Sequence, residues 1–263
     1  GWEHGDRRAV QTLVGPLTGT IRGAIRQTLA SRPIMVSYHR VNDLSARRPL
    51  KSRSSLWASA LSRGMLRAGI RPNQVSVMSA VFAAGSAACL LSLSCGCLSP
   101  ILLWFFAAGG IQLRLICNLM DGMLAVEGGL KTTNGDLYNE FPDRLSDTFI
   151  LAALGYAGGD EISILLGWLC AAGALMTACI RMHGASLVGT HDFRGPMAKP
   201  QRMALATATC IIMAILAATT SRFSPLPWIL GVMLVGIIIT VFRRLLALSR
   251  ALREKAGQST TSS

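Results

Sequence analysis

Acidic residues are concentrated in one short part of this sequence. Of the 13 acidic residues in the chain, six lie within the 27 positions from residue 121 to residue 147. On a helix, Asn118 and Asp121 share one face because they are three residues apart; Asn139, Asp143 and Asp147 share another because they are spaced by four. Two converging stripes of carboxylate and amide oxygens predict a site for a hard divalent cation such as Mg²⁺, Mn²⁺ or Ca²⁺.

The same acids have a simpler interpretation as solvated helix ends. Their partners would then be nearby basic residues, namely Arg114, Lys131 and Arg144. Solvated helix ends rarely align two polar faces at a membrane boundary, so we favour the cation site.

The composition is that of a membrane protein. Hydrophobic residues make up 51% of the chain and charged residues 15%, and the mean hydropathy is +0.44. The formal net charge of +13 raises the question of nucleic acid. Nucleic-acid binding needs a soluble basic face, whereas these charges lie between long uncharged stretches, so we expect a membrane surface as partner and no nucleic acid.

Uncharged stretches predict an all-α protein with six transmembrane helices over residues 72–247. The 42 residues between Arg71 and Arg114 are enough for two crossings and a turn. Residues 162–180, 203–221 and 223–240 supply three more. Residues 137–158 are apolar only in their second half, so we predict a sixth span with a water-accessible acidic end.

Basic residues predict the orientation and the flanking segments. Thirteen of the 26 Lys and Arg residues fall at or before Arg71, and five lie between Arg243 and Lys255. The positive-inside rule then places both termini in the cytoplasm, as expected for a protein of the bacterial inner membrane. We predict a basic segment over 1–53 with an interfacial helix, a juxtamembrane amphipathic helix over 54–71, and a cytoplasmic tail over 248–263.

One stretch of the sequence resembles the signature of the CDP-alcohol phosphatidyltransferase family, D-x2-D-G-x2-A-R-x8-G-x3-D-x3-D. It reads Asn118-x2-Asp121-Gly122-x2-Ala125-Val126-x8-Gly135-x3-Asn139-x3-Asp143. The spacing matches throughout, with Asn at the first and third Asp positions and Val at the Arg position. The resemblance covers roughly residues 54–250 and implies a six-helix membrane enzyme, usually a homodimer, with its site open to the cytosol.

The resemblance also implies roles for these residues. Asp121 corresponds to a metal ligand and Asp143 to the general base. Asn118 and Asn139 would offer carbonyl oxygens, and Asp147 or Glu140 could replace a lost carboxylate. The site would then hold one or two Mg²⁺ or Mn²⁺ ions. A nucleotide could approach closely at three small residues, Gly122, Ala125 and Gly135.

The implied reaction moves a phosphatidyl or phospho-alcohol group from a CDP-linked lipid such as CDP-diacylglycerol to an alcohol, and it releases CMP. Glycerol phosphate, inositol phosphate, serine, choline and another lipid all fit as acceptors, and either half of the CDP compound could be transferred.

A second polar group of residues follows the predicted fourth span. Arg181, Lys199 and Arg202 suit recognition of an acceptor phosphate, because Arg forms forked hydrogen bonds with phosphate. The alternative is that these residues bind lipid headgroups as ordinary positive-inside charges.

Two other functions are compatible with a basic helical bundle. Acidic residues within a membrane often mark an ion path, so a transporter is one alternative. A non-catalytic membrane protein built on the same bundle is the other. Release of CMP from a CDP-linked lipid would distinguish the enzyme from both.

Overall fold

The computed structural model describes residues 55–96, 98–129, 135–219 and 224–261, and the predicted segment 1–53 lies outside these ranges. The described residues form helices and no strand, which confirms the predicted all-α class. The helices are α1 (Leu56–Arg67), α2 (Pro72–Leu91), α3 (Pro100–Glu127), α4 (Gly135–Tyr156), α5 (Glu161–Val188), α6 (Lys199–Ala218) and α7 (Leu226–Thr261), with a 3-10 turn (Ser92–Cys95) after α2.

Five of the described helices are long and apolar enough to cross a membrane, and the chain is an integral membrane protein. These five are α2, α3, α5, α6 and α7. The remaining long helix, α4, carries the acidic residues in its first half and Pro142 in its interior. Its role as a sixth crossing therefore stays a prediction.

Helix α1 lies within the predicted juxtamembrane segment. Ser55 occupies its N-cap position, and Gly69, with φ +71°, follows its end in the left-handed conformation that glycine favours. Its buried residues are Ala58 and Ser62, and it packs against α3, while Leu56 is 89% exposed. That this helix lies at the membrane surface stays a prediction.

Close contacts between neighbouring helices build the bundle. Helix α2 packs against both α3 and α4; α5 packs against both α4 and α7; α6 packs mainly against α3. The contact of α4 with α5 depends on Gly155 and Gly167, since a Cβ added to Gly155 would lie 2.9 Å from the Cα of Gly167. The α2–α3 contact is similarly tight at Gly110, where an added Cβ would collide with Ser86 Oγ.

Helix α7 continues past the predicted domain boundary at residue 247. It ends at Thr261, and at about 1.5 Å per residue its 36 residues extend about 54 Å, well beyond the roughly 30 Å of a bilayer core. The extension is attached to α5, because Lys255 Nζ donates to the Leu187 carbonyl at 2.7 Å. Part of the predicted tail is therefore helix.

Candidate active site

Three carboxylates and three cationic side chains meet where α2, α3, α4 and α6 come together. The acids are Asp121, Asp143 and Asp147, and the cations are Arg114, Lys199 and Arg202. The middle of α4, the second half of α3 and the first turn of α6 supply them. The formal charges of this cluster balance, so the protein itself neutralises its buried acids.

Asp147 is bonded to arginine through both carboxylate oxygens. Its Oδ1 accepts from Arg114 Nη2 at 2.5 Å, and its Oδ2 accepts from Arg202 Nη2 at 2.6 Å. The side chains of all three residues are at most 4% exposed. Charge-assisted bonds of this length are strong, so Asp147 could bind a metal only by giving up an arginine.

Asp143 is the most accessible carboxylate of the cluster. Its Oδ1 accepts from Asn118 Nδ2 at 2.6 Å and from Arg114 Nη2 at 3.4 Å, and its Oδ2 contacts Lys199 Nζ. The side chain is 14% exposed. A small molecule entering the site would therefore reach Asp143 before the other two acids.

Asp121 has a carboxylate oxygen without a partner. Ser76 Oγ on α2 donates to its Oδ2 at 2.8 Å, whereas its Oδ1 is buried and has no hydrogen-bond partner among the described residues. A buried carboxylate oxygen of this kind requires a donor or a cation. Asn118 lies one turn away, and its Oδ1 accepts from Ser79 Oγ at 2.7 Å. The Asn118 amide thus joins Ser79 to Asp143.

Two residues on α2 that contact the candidate site were not predicted from the sequence. Ser76 and Ser79 are both buried and contact the two signature residues of α3. Their spacing of three places both hydroxyls on one face of the helix, and this pattern was visible in the sequence.

Asn139, a predicted metal ligand, and the three residues predicted to lie near a nucleotide are not among the six residues of the cluster. Asn139 is exposed on α4, one turn before Asp143, and no hydrogen bond found within the described ranges joins it to the acids. Gly122 and Ala125 lie half-buried near the end of α3, and Gly135 is the first residue of α4. Across the described part of the chain, no group of three or more His, Cys, Asp or Glu could hold a metal ion. An ion here would need Asn or substrate oxygens as well.

The three residues predicted to bind phosphate pair with different acids. Lys199 and Arg202 belong to the cluster, whereas Arg181 Nη2 donates to both carboxylate oxygens of Glu140 at 2.7 and 2.8 Å. Glu140 also pairs with Arg144, and the Arg181 guanidinium lies 5.5 Å from the centre of the Phe193 ring. Arg181 therefore lies beside the segment that connects α5 to α6.

That connecting segment borders an open cavity of about 650 Å³, lined by residues 190–195 and Gln201. Burial raises the pKa of Asp192, but hydrogen bonds from the side chain and backbone N–H of Arg194 lower it more, so the net pKa is below its ordinary value. Asp192 is therefore charged at neutral pH and holds Arg194 in place.

Solved structures provide the comparison for this arrangement. No protein-family model matches the sequence, and no curated protein matches it. Phosphatidylinositol phosphate synthase (PgsA1) of Mycobacterium tuberculosis with CDP-DAG bound has a TM-score of 0.57 and 20% identity, over 74% of this chain and 94% of that one. This chain has the fold of PgsA1. Two further PgsA1 structures have the same fold. The complex with manganese and citrate has a TM-score of 0.58 and 20% identity, over 73% of this chain and 88% of that one. The apo form has a TM-score of 0.52 and 22% identity, over 71% and 93%.

The comparison agrees with the resemblance seen in the sequence, because PgsA1 is a phosphatidylinositol phosphate synthase that has been solved with CDP-DAG bound. At about 20% identity the likeness to PgsA1 establishes the fold and leaves the substrates to be argued from this chain's own residues. The variant signature, with Asn118 and Asn139 in place of Asp, stays a prediction.

Proposed function

We propose that this chain is a CDP-alcohol phosphotransferase that moves a phosphatidyl or related phospho-alcohol group from a CDP-linked lipid to a hydroxyl acceptor and releases CMP. One observation carries the proposal. Asp121, with an unpartnered buried oxygen, and Asp143, which solvent reaches, lie on either side of Asn118 at the junction of α3 and α4. A second support is the fold, since PgsA1 has been solved with CDP-DAG bound.

The residues at this junction fit one divalent cation, Mg²⁺ or Mn²⁺, and PgsA1 has been solved with manganese. Asp121 Oδ1 would be its main protein ligand, with the Asn118 carbonyl and Asp143 beside it. Asp147 is left out because both of its oxygens already accept from arginine. When bound, the ion would neutralise diphosphate oxygens of the donor.

Asp143 is the residue that we propose as general base. The acceptor hydroxyl oxygen attacks the phosphorus of the transferred group, the bond from that phosphorus to the CMP oxygen breaks, and the hydroxyl proton moves to Asp143 Oδ2. Lys199 contacts this oxygen before substrate arrives. Its flexible ammonium group can turn toward a substrate phosphate and leave Oδ2 free to accept the proton.

The basic residues around the acids would bind an anionic acceptor. Lys199 is the most accessible of them, because its side chain is 27% exposed, compared with 15% for Arg181 and 3% for Arg202. The small residues Gly122, Ala125 and Gly135 would leave room for the cytidine nucleotide near the start of α4.

The membrane arrangement completes the proposal. Helix α4 is the sixth crossing, with its acidic first half at the cytosolic boundary of a bacterial inner membrane. Both termini lie in the cytosol, and the enzyme is a homodimer. Supporting this orientation, Lys199 and Arg202 at the start of α6 lie beside the acids, and Arg244 of α7 bonds to the connection that precedes them.

The proposal is tested by product analysis. Purified protein is incubated with CDP-diacylglycerol, Mn²⁺ and a panel of alcohols and alcohol phosphates, and CMP and the lipid product are identified by mass spectrometry. We expect CMP release that requires one acceptor of the panel. Absence of CMP with every acceptor, together with ion flux in proteoliposomes, would favour the transporter instead.

A further inference from the structure

One face of α7 contacts the segment that connects α5 to α6. Gly236, Thr240 and Arg244 are spaced by four residues and therefore lie in a row along the helix. Each of them meets a different part of residues 194–197, immediately before α6 begins at Lys199.

The first two positions of this row fit the segment closely. A Cβ added to Gly236 would lie 3.1 Å from the Cβ of Met197, so the glycine allows the close approach. Thr240 Oγ1 accepts from the Met197 backbone N–H at 3.0 Å. Gly195 has φ +140°, and a Cβ there would lie 2.8 Å from Thr240 Oγ1, so a larger residue at 195 would clash with Thr240.

Arg244 fixes the segment to α5 as well as to α7. Its Nε donates to the Arg194 carbonyl at 3.0 Å and its Nη1 donates to the Thr177 carbonyl at 2.6 Å. Arg244 is only 5% exposed, whereas its sequence neighbour Arg243 is exposed. One guanidinium thus connects three parts of the chain, which a single-point donor such as Lys cannot reproduce.

The segment held in this way leads directly into the acidic cluster. Lys199, two residues after Met197, contacts Asp143, and Arg202 donates both to the Met197 carbonyl at 3.3 Å and to Asp147. A shift of residues 194–197 would therefore move both cations relative to the acids.

We infer that Arg244, with Thr240, is a positioning residue for the transfer reaction: it holds residues 194–197 so that Lys199 and Arg202 face the substrate. The hydrogen bonds of Arg244 to the Arg194 and Thr177 carbonyls lie outside the acidic cluster, so in this proposal Arg244 acts through the segment. The inference rests on the proposed function, in which Lys199 and Arg202 bind the acceptor, whereas the metal and the donor diphosphate are held by α3.

Steady-state kinetics separate this role from a general loss of fold. We expect Arg244→Gln to raise KM for the acceptor about tenfold and to leave KM for the CDP-linked lipid within about twofold, because two charge-assisted hydrogen bonds are lost far from the donor. Arg243→Gln is the matched control and should behave as wild type. Thr240→Val, which keeps the shape and removes one acceptor, should raise the acceptor KM less.

Arg244→Lys tests whether charge or bridging matters. It keeps the positive charge but cannot reach both carbonyls, so we expect it to resemble Arg244→Gln. Wild-type kinetics in Arg244→Lys, equal kinetics in Arg244→Gln and Arg243→Gln, or a fall in kcat with both KM values unchanged would each overturn the inference.

Hydrogen exchange distinguishes failure of this inference from failure of the proposed function. In the purified full-length protein, Arg244→Gln should increase amide exchange across residues 189–198, and Arg243→Gln should not. Faster exchange in a protein that releases no CMP with any acceptor would refute the function and leave the restraint intact. Unchanged exchange in Arg244→Gln would refute the restraint itself.

Discussion

The bonds of Asp147 to two buried arginines predict that its charge is essential for stability. Asp147→Asn keeps the shape but replaces one acceptor oxygen with an amide that faces an arginine N–H. Arg114 is fully buried and Arg202 is 2% exposed, so neither can recover its bond from water. Removing one partner of a buried ion pair costs about 3–5 kcal/mol, and we expect a loss in this range.

Glu140→Gln is the matched control for this substitution. Glu140 also pairs with two arginines, Arg144 and Arg181, but its side chain is 29% exposed. Water screens such pairs, and each contributes about 0–1 kcal/mol. The two substitutions remove the same charge from the same helix. The difference between their losses of stability therefore measures the effect of burial.

Thermal unfolding in detergent is a suitable assay. Cys117, Cys170 and Cys210 are buried, so a thiol-reactive fluorophore reports their exposure on unfolding. At roughly 3 °C per kcal/mol for a chain of this size, a loss of about 4 kcal/mol in Asp147→Asn should lower Tm by roughly 12 °C. A loss of about 1 kcal/mol from the two Glu140 pairs together should lower Tm by roughly 3 °C in Glu140→Gln. Equal shifts in the two variants would show that Asp147 is not held as described.

Three further predictions concern other parts of the molecule. Asn118→Asp should tighten Mn²⁺ binding about tenfold or more, because it adds a charge beside Asp121, while Asn139→Asp at the exposed position should change it little; equal effects in a Mn²⁺ titration would contradict the ligand assignment. Gly155→Ala should destabilise the protein by about 1–3 kcal/mol, because its Cβ would lie 2.7 Å from an α5 carbonyl oxygen, and Gly109→Ala, with open space around it, should not lower Tm. Hydrogen bonds from the Ser163 side chain and backbone N–H lower the pKa of Asp160. The stabilising effect of Asp160 is therefore present above the ordinary carboxyl pKa and is lost as pH falls through its folded pKa. Asp160→Ala should cost about 1 kcal/mol at pH 7 and flatten the acid side of a Tm-against-pH curve.

Charge spacing predicted most of the helices and missed their ends. The uncharged stretch between Arg71 and Arg114 indicated two helices, which are α2 and α3. Helix α5, however, continues past the predicted end at residue 180, through Arg181, to Val188. A charged residue ends an apolar stretch in the sequence but not the helix, because here Glu140 on α4 pairs with Arg181.

Helical spacing also predicted part of the site. It placed Asn118 and Asp121 on one face and Asp143 and Asp147 on another, and the structure brings these two faces together. It did not predict which acids are bonded to arginine, nor that Asn139 lies outside the cluster. Those features depend on the distances between helices, which local spacing along one helix does not contain.

The central claim is that Asp143 accepts the proton when CMP is released. The most direct measurement is metal-dependent CMP release from CDP-diacylglycerol by Asp143→Asn, compared with Glu161→Gln, which removes an exposed charge from the first turn of α5, away from the cluster. We predict that Asp143→Asn lowers kcat by about 10²–10⁴-fold in a protein that remains folded, and that Glu161→Gln retains turnover. Full turnover in a folded Asp143→Asn protein would contradict the account.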